Sequence, residues 1–257
     1  MKAVILAGGL GSRLSEETVT KPKPMVEIGG RPILWHIMKI YSHFGVRDFV
    51  ICLGYKGFYI KEFFANLNLA ASDVTIDVAR NTVSVLQSEI DPWRVTLVDT
   101  GLESMTGGRL KRIRRYLDDD TPFFMTYGDG VADVDITKLL AHHVEKGRLA
   151  TVTAVRPVAR FGALGITEGI VTQFAEKPID EGGLINGGYF VLSPETLDLV
   201  DGDDTIWERQ PMERLAEAGQ LAAFQHHGFW HPMDTLRDRN YLDQLCSTGR
   251  APWMTWV

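Results

Sequence analysis

Three glycines, an arginine and two lysines stand at fixed spacing behind the first apolar run: Gly8, Gly9 and Gly11, then Arg13, then Lys21 and Lys23, with Lys23 held between Pro22 and Pro24. The glycines make a bend without Cβ atoms, through which main-chain N–H groups can point at phosphate oxygens. Arg13 adds a planar fork of donors. The two prolines fix φ, which predicts that Lys23 is presented from an extended stretch. Together these residues suit a nucleoside triphosphate. A glycine-rich bend by itself would equally be an ordinary strand-to-helix turn. Two familiar phosphate fingerprints are excluded: G-x-G-x-x-G begins at Gly9 and Gly11 but meets Leu14, and G-x-x-x-x-G-K-[ST] does not occur.

Two acids complete the chemistry. Asp129 follows an apolar run and is flanked by Gly128 and Gly130, an arrangement that projects a carboxylate into a cleft or makes a plain Asp-Gly turn. Asp234 precedes Thr235-x-x-Asp238, which fits a capping box, so it could equally mark a helix start. At about 4 Å a carboxylate and a phosphate repel by roughly 4 kcal/mol at an effective dielectric of 20. Two acids beside a triphosphate therefore make sense around a cation. Mg²⁺ suits them, since it is held by one or two carboxylates, phosphate oxygens and water.

The run Leu6-Ala7-Gly8-Gly9-Leu10-Gly11-Ser12-Arg13-Leu14 with Lys21-Pro22-Lys23-Pro24-Met25 resembles the signature of the sugar-phosphate nucleotidyltransferases. Further matches follow at Asp99-Thr100-Gly101, 104–112, Tyr127-Gly128-Asp129-Gly130, 161–164, Glu176-Lys177-Pro178, 186–191 and 228–238, so the resemblance covers essentially the whole chain. Ser12 stands where threonine is more usual, and both carry a hydroxyl.

Within that family, the matched segments resemble a cytidylyl-transferring member. The resemblance implies in-line attack by the phosphate oxygen of α-D-glucose 1-phosphate on the α-phosphorus of CTP, giving CDP-glucose and pyrophosphate. The attacking phosphate is already ionised, so catalysis reduces to alignment and charge stabilisation. Lys23 would meet the α-phosphate, Arg13 the departing pyrophosphate, and Asp129 with Asp234 the Mg²⁺. Nucleotide contacts would come from Leu6, Ala7, Gly8, Gly9, Leu10, Gly11, Ser12, Arg13, Lys23, Ser104, Arg109 and Gly128. Arg109 could serve a cytosine carbonyl or a phosphate, although 104–109 could also be an ordinary loop. Glu176, Lys177, Asn186 and Gly187 would hold the sugar phosphate; the first two could instead be a surface ion pair, and Gly187-Gly188 a bulge. A uridylyl- or thymidylyltransferase, or a catalytically silent nucleotide-sugar-binding module, remains open on the residues. The resemblance further implies a cytosolic homo-oligomer, a hexamer being one form, supplying dideoxysugars for surface polysaccharide.

These residues need a scaffold. Apolar runs at 3–6, 48–53, 74–78, 95–98 and 122–127 alternate with helical patterns opening at Pro32 and Gly57, the first carrying Ile33, Leu34, Ile37, Met38 and Tyr41 on one face. Alternation of this kind predicts an α/β fold with a doubly wound, mostly parallel, Rossmann-like sheet, whose ligands sit beyond the carboxyl ends of the strands. Shorter strands at 151–155, 165–167, 171–175 and 184–192, a helix at 206–218 and another from about 234 predict a smaller β-rich, sugar-binding part. The 257 residues read as one domain: 1–135 a nucleotide-binding half, 136–257 a sugar-binding and oligomerisation half.

A net charge of −6 argues against broad nucleic-acid or membrane binding. The basic run Arg109, Lys111, Arg112, Arg114 and Arg115 overlies Leu110, Ile113 and Leu117, as a solvated helix face would. His227 and His231 have no third ligand signal for zinc, and Phe229 and Trp230 read as core or subunit contact. Cys52 and Cys246, far apart in sequence, fit a reducing compartment. The apolar start is cut short by Gly8 and Gly9, unlike a signal peptide, and no run reaches the length of a membrane span.

Overall fold

The apolar run at Ala3, Val4, Ile5 and Leu6 becomes an interior strand whose side chains divide between two cores, Ala3 and Ile5 on one face, Val4 and Leu6 on the other. A strand buried on both faces reads as continuously apolar for that reason. The computed structural model describes residues 1–11, 14–88, 90–118, 121–157, 163–167, 170–175 and 183–256. In chain order the first half runs β1 (Lys2–Leu6), α1 (Ser15–Thr18), β2 (Glu27–Ile28), β3 (Arg31–Pro32), α2 (Ile33–His43), β4 (Asp48–Leu53), α3 (Gly57–Ala70), β5 (Ser72–Asp77), β6 (Thr82–Ser88), β7 (Arg94–Asp99), α4 (Thr106–Arg112), β8 (Phe123–Tyr127) and β9 (Gly130–Ala132). Then follow α5 (Ile136–Lys146), β10 (Ala150–Val155), β11 (Ala163–Thr167), β12 (Ile170–Ala175), β13 (Ile185–Leu192), α6 (Gln210–Glu217), β14 (Leu221–Gln225), β15 (Trp230–Pro232) and α7 (Leu236–Ser247).

Seven strands form one sheet in the order β14-β10-β13-β8-β1-β4-β7. β1 is parallel to β4 and β8, β4 to β7 and β10 to β14, while β13 runs antiparallel between β8 and β10. The fold is the mostly parallel α/β sheet that the alternation predicts. α2 lays its expected face, Ile33, Leu34, Ile37, Met38 and Tyr41, into one core with no side chain exposed. On the other face Leu110 and Ile113 are buried with Trp207, beneath Arg112 and Arg114, which pair with Asp203 and Asp198.

Three expectations are corrected. The strand expected at 74–78 is β5, which pairs with β6 as an antiparallel hairpin outside the main sheet. Its apolar residues alternate with Ser72, Asp73, Thr75 and Asp77, and Ile76, Val83 and Val85 are exposed, so it lacks the two-sided burial that an interior parallel strand needs. The helix expected from 206 starts at Gln210: Trp207 is buried in the core and Pro211 lies in the first turn, where its missing N–H costs nothing. Lys23 does not lie in an extended stretch. Pro22 is extended (φ −69°, ψ 151°), but Lys23 opens a single 3₁₀ turn, Lys23–Met25, closed by hydrogen bonds from Met25 N to Pro22 O (2.8 Å) and Val26 N to Lys23 O (3.0 Å). The buried Pro24 has the φ of a helical first turn and anchors it.

Candidate active site

Two adjoining cavities open at the carboxyl ends of β1 and β8. The larger, about 370 Å³, is walled by Leu6, Ala7, Gly8, Gly9, Gly11, Lys23, Pro24, Ser104, Met105, Thr106, Arg109 and Gly128. The smaller, about 200 Å³, is walled by Thr126, Gly130, Asn186, Gly187, Gly188, Tyr189, Trp230, Pro232 and Asp234. Tyr127 and Asp129 belong to both.

Glycine is required where the chains crowd. A Cβ on Gly128 would stand 2.9 Å from Leu6 O and 3.2 Å from Pro24 Cγ, because the ends of β8 and β1 are joined by Gly128 N to Leu6 O at 3.0 Å. Gly11 has φ +65°, a left-handed conformation that glycine adopts freely.

Lys23 joins the two acids. Its ammonium donates to Asp129 Oδ2 at 2.7 Å and to Asp234 Oδ1 at 2.9 Å, although the three residues are spread over the whole chain. The short ladder of β9 on β15 brings the acids together: Gly130 pairs with Pro232, and one step on Met233 N donates to Asp129 O at 2.7 Å. Burial works against the charge on Lys23, but the charge and hydrogen bonds of Asp129 and then Asp234 outweigh it and raise the pKa above its usual value. The side chain of Lys23 is 11% exposed and that of Asp234 17%, against 36% for Asp129, so water screens the Lys23–Asp234 pair weakly and the Lys23–Asp129 pair more.

The cap at α7 resolves the ambiguity at Asp234. Thr235 is the N-cap: its hydroxyl accepts from Asp238 N, and Asp238 Oδ2 accepts from Thr235 N at 2.8 Å in a complete capping box. Asp234 contributes its backbone N–H to the same carboxylate, at 3.1 Å, and its own side chain to Lys23.

Arg109, expected as a donor to base or phosphate, also has partners within the protein. It lines the larger cavity, yet its terminal nitrogens donate to Gly8 O (3.0 Å), Leu53 O (3.1 Å), Thr100 Oγ1 (2.9 Å), Gly101 O (2.7 Å) and Leu102 O (3.2 Å). It ties the loops after β1 and β7 to the end of β4, and burial lowers its pKa. Ser104 is buried on the cavity wall, whereas Leu10 is exposed and not on it. Asn186 and Gly187 line the smaller cavity, and the pairing of β10 with β13 is irregular at this point, so the glycines both mark a bulge and wall the pocket. Ser12, Arg13, Glu176 and Lys177 lie outside the described residues. His231 is buried against Asp238 at 3.3 Å while His227 is exposed, so the two do not converge.

The sequence reading missed Tyr127, Thr106 and Glu208. The phenol of Tyr127 donates to Glu208 Oε1 at 2.5 Å and Thr106 Oγ1 to Glu208 Oε2 at 2.6 Å. Tyr127 and Thr106 lie in the segments that carry the family resemblance, 127–130 and 104–112, but neither has a role assigned there, and Glu208 has no signal.

Glycine loop, paired acids and bridging lysine at the strand ends of this sheet define a phosphate-handling α/β enzyme of the nucleotide-transferring class. The nucleotidyl transferase family model matches residues 2–231, and the chain belongs to that family. It is 60% identical over 256 residues to the glucose-1-phosphate cytidylyltransferase of Salmonella typhimurium strain LT2, covering all of both chains. It is 31% identical over 252 residues to the mannose-1-phosphate guanyltransferase of Yarrowia lipolytica, covering 96% of this chain and 63% of that one. Among solved structures, HddC from Yersinia pseudotuberculosis shares the fold with a TM-score of 0.70 at 24% identity, covering 96% of this chain and 99% of that one.

Proposed function

We propose that this cleft transfers the cytidylyl group of CTP to α-D-glucose 1-phosphate with release of pyrophosphate. The observation that carries the chemistry is the ammonium of Lys23 held between Asp129 and Asp234 at the mouth of the glycine loop. Full-length identity of 60% to a glucose-1-phosphate cytidylyltransferase supports the choice of base and sugar.

The donor set fits a divalent metal. Two carboxylate oxygens already share one cation, the Lys23 ammonium, and hard oxygen donors of this kind suit Mg²⁺. When bound, Mg²⁺ would supply charge neutralisation on the triphosphate. Asp129 and Asp234 would hold it, and Lys23, released from sole pairing with them, would meet the α-phosphate.

Main-chain N–H groups of the glycine loop would line the phosphates, and Asn186 and Gly187 the sugar hydroxyls. Arg13, Glu176 and Lys177 keep the roles the resemblance gives them. An oxygen of glucose 1-phosphate forms a bond to the α-phosphorus as the bond to the pyrophosphate oxygen breaks, with no proton to remove and no covalent enzyme intermediate.

Pyrophosphate release measured with CTP, UTP, dTTP, ATP and GTP in turn, with glucose 1-phosphate and Mg²⁺, tests this. CTP is expected to lead by at least about tenfold. Preference for another base would reassign the nucleotide, and tight CTP binding without turnover would make the chain a binding module.

We infer further that the enzyme is a cytosolic homo-oligomer, with a hexamer as the leading form, feeding dideoxysugar synthesis for surface polysaccharide. The exposed apolar residues Val78, Val83, Val85 and Leu86 of the outlying β5–β6 hairpin support self-association. No helix among the described residues is long and apolar enough to cross a membrane. Light scattering giving a monomer mass at micromolar concentration would overturn the oligomer.

A further inference from the structure

Three polar side chains of the cavity walls, Thr106, Tyr127 and Asn186, form a relay with a fourth behind them, Glu208. Glu208 sits in the turn before α6, with Oε2 accepting from Thr106 Oγ1 at 2.6 Å and Oε1 from the Tyr127 phenol at 2.5 Å. The phenol oxygen of Tyr127, Oη, accepts in turn from Asn186 Nδ2 at 3.2 Å, and Asn186 Oδ1 accepts from Gly188 N at 2.8 Å. Thr106 is fixed from its other side by Trp207 N at 2.9 Å.

The segment carrying Glu208 is itself docked on the start of α4. Met105 N donates to Asp203 O at 2.7 Å and Gly107 N to Thr205 O at 2.9 Å. A Cβ on Gly107 would stand 2.8 Å from Thr205 O, and one on Gly108 would overlap Asp203. The glycines of this segment therefore let backbone meet backbone behind the nucleotide-side wall.

The donor directions are forced by chemistry. An ionised carboxylate only accepts, so Tyr127 must commit its one O–H to Glu208. Its oxygen is then left as an acceptor, which compels Asn186 to turn its NH₂ toward Tyr127 and its carbonyl toward Gly188 N. One N–H of that amide is left for a ligand in the smaller cavity.

We propose that Glu208 is a positioning residue: by fixing the direction of the Tyr127 hydroxyl and the place of Thr106, it sets the orientation of Asn186 for the sugar while holding the nucleotide-side wall. This deepens the function proposed above and rests on it for the assignment of the smaller cavity to the sugar phosphate.

Glu208→Gln tests it, because the side chain keeps its size but can donate. A glutamine NH₂ facing Tyr127 turns the phenol O–H toward Asn186, whose NH₂ is held on that side by the bond from Gly188 N to its carbonyl, so either the Tyr127–Asn186 bond is lost or the amide turns and gives up Gly188 N. Steady-state kinetics should show KM for glucose 1-phosphate raised about tenfold, the size of one net hydrogen bond, with KM for CTP changed less than about twofold and thermal stability close to that of the parent. Tyr127→Phe should give the same split, and the double variant should be no worse than Tyr127→Phe alone, since both act through one relay. Equal changes in both KM values, a fall in stability with kinetics unmoved, or additive effects in the double variant would overturn the proposal.

Should another nucleotide win the panel, the same measurements with that nucleotide apply. Should there be no turnover, the catalytic reading fails separately. Calorimetry then decides the relay: Tyr127→Phe should weaken CDP-glucose about tenfold while leaving CDP unchanged, and equal loss on both ligands would refute it.

Discussion

Asp234 and Thr235, adjacent in sequence, do different work at the start of α7: the threonine caps the helix through Asp238, and the aspartate reaches 2.9 Å to Lys23. Metal dependence should therefore separate the two neighbours. Thr235→Ala should cost about 1 kcal/mol, or about 3 °C in melting temperature, with turnover near normal. Asp234→Asn should also lower the melt, since it removes one of the two acids paired with Lys23, but of the two variants it alone should raise the Mg²⁺ concentration needed for half-maximal rate, at least about tenfold. Calorimetric scans and metal titrations on both variants check this.

In the proposed reaction Lys23 would stabilise charge that develops only during transfer. Lys23→Ala should lower kcat by about two to three orders of magnitude, as removal of one preorganised donor does. Near-normal turnover in stopped assays would remove Lys23 from the catalytic machinery.

Lys23 also links stability to alkaline pH. A lysine whose pKa is raised by folding binds its proton more tightly in the folded chain. Its contribution is complete below the ordinary value of 10.5 and disappears as pH climbs through the raised one. Urea melts between pH 9 and pH 11 should show a loss in the parent that is absent in the Lys23→Ala variant.

His226 gives a second, near-neutral dependence. Burial disfavours its charge, but a 2.9 Å contact with Asp133 and a hydrogen bond with Phe229 O outweigh that and raise its pKa above 6.5. The stabilisation is fully present below pH 6.5 and fades as pH rises through the raised value. His226→Gln should flatten the change in melting temperature across that window, and an unaltered profile would assign the dependence to other groups.

Gly8 tests the seam made by Arg109. A Cβ there would overlap the guanidinium, which five acceptors on two loops and the end of β4 hold in place. Gly8→Ala should cost about 1–3 kcal/mol through overpacking, while Gly9→Ala, with no neighbour within 4 Å of its Cβ, should fold like the parent. Denaturant midpoints of the two variants decide it.

Residues whose meaning is local were readable in the sequence. The glycine bend after β1, the acid after β8 and the buried face of α2 each follow from a short pattern of apolar and small residues. What escaped depends on distant partners. Arg109 could be read as a donor, but its acceptors are set by where three separate strands end. Glu208 is one acid in a polar turn until β8 and α4 are packed against it. The hairpin of β5 and β6 escaped because valines and isoleucines alternate with polar residues there in a way that fits either a sheet edge or an outlying ribbon.

The three-rung ladder of β9 on β15 stands apart from the seven-stranded sheet, yet it sets the spacing of Asp129 and Asp234. Its Val131 and Ala132, with the adjoining Met233, are buried in the main core, so the spacing of the two acids is held by the core itself and should last until the domain melts.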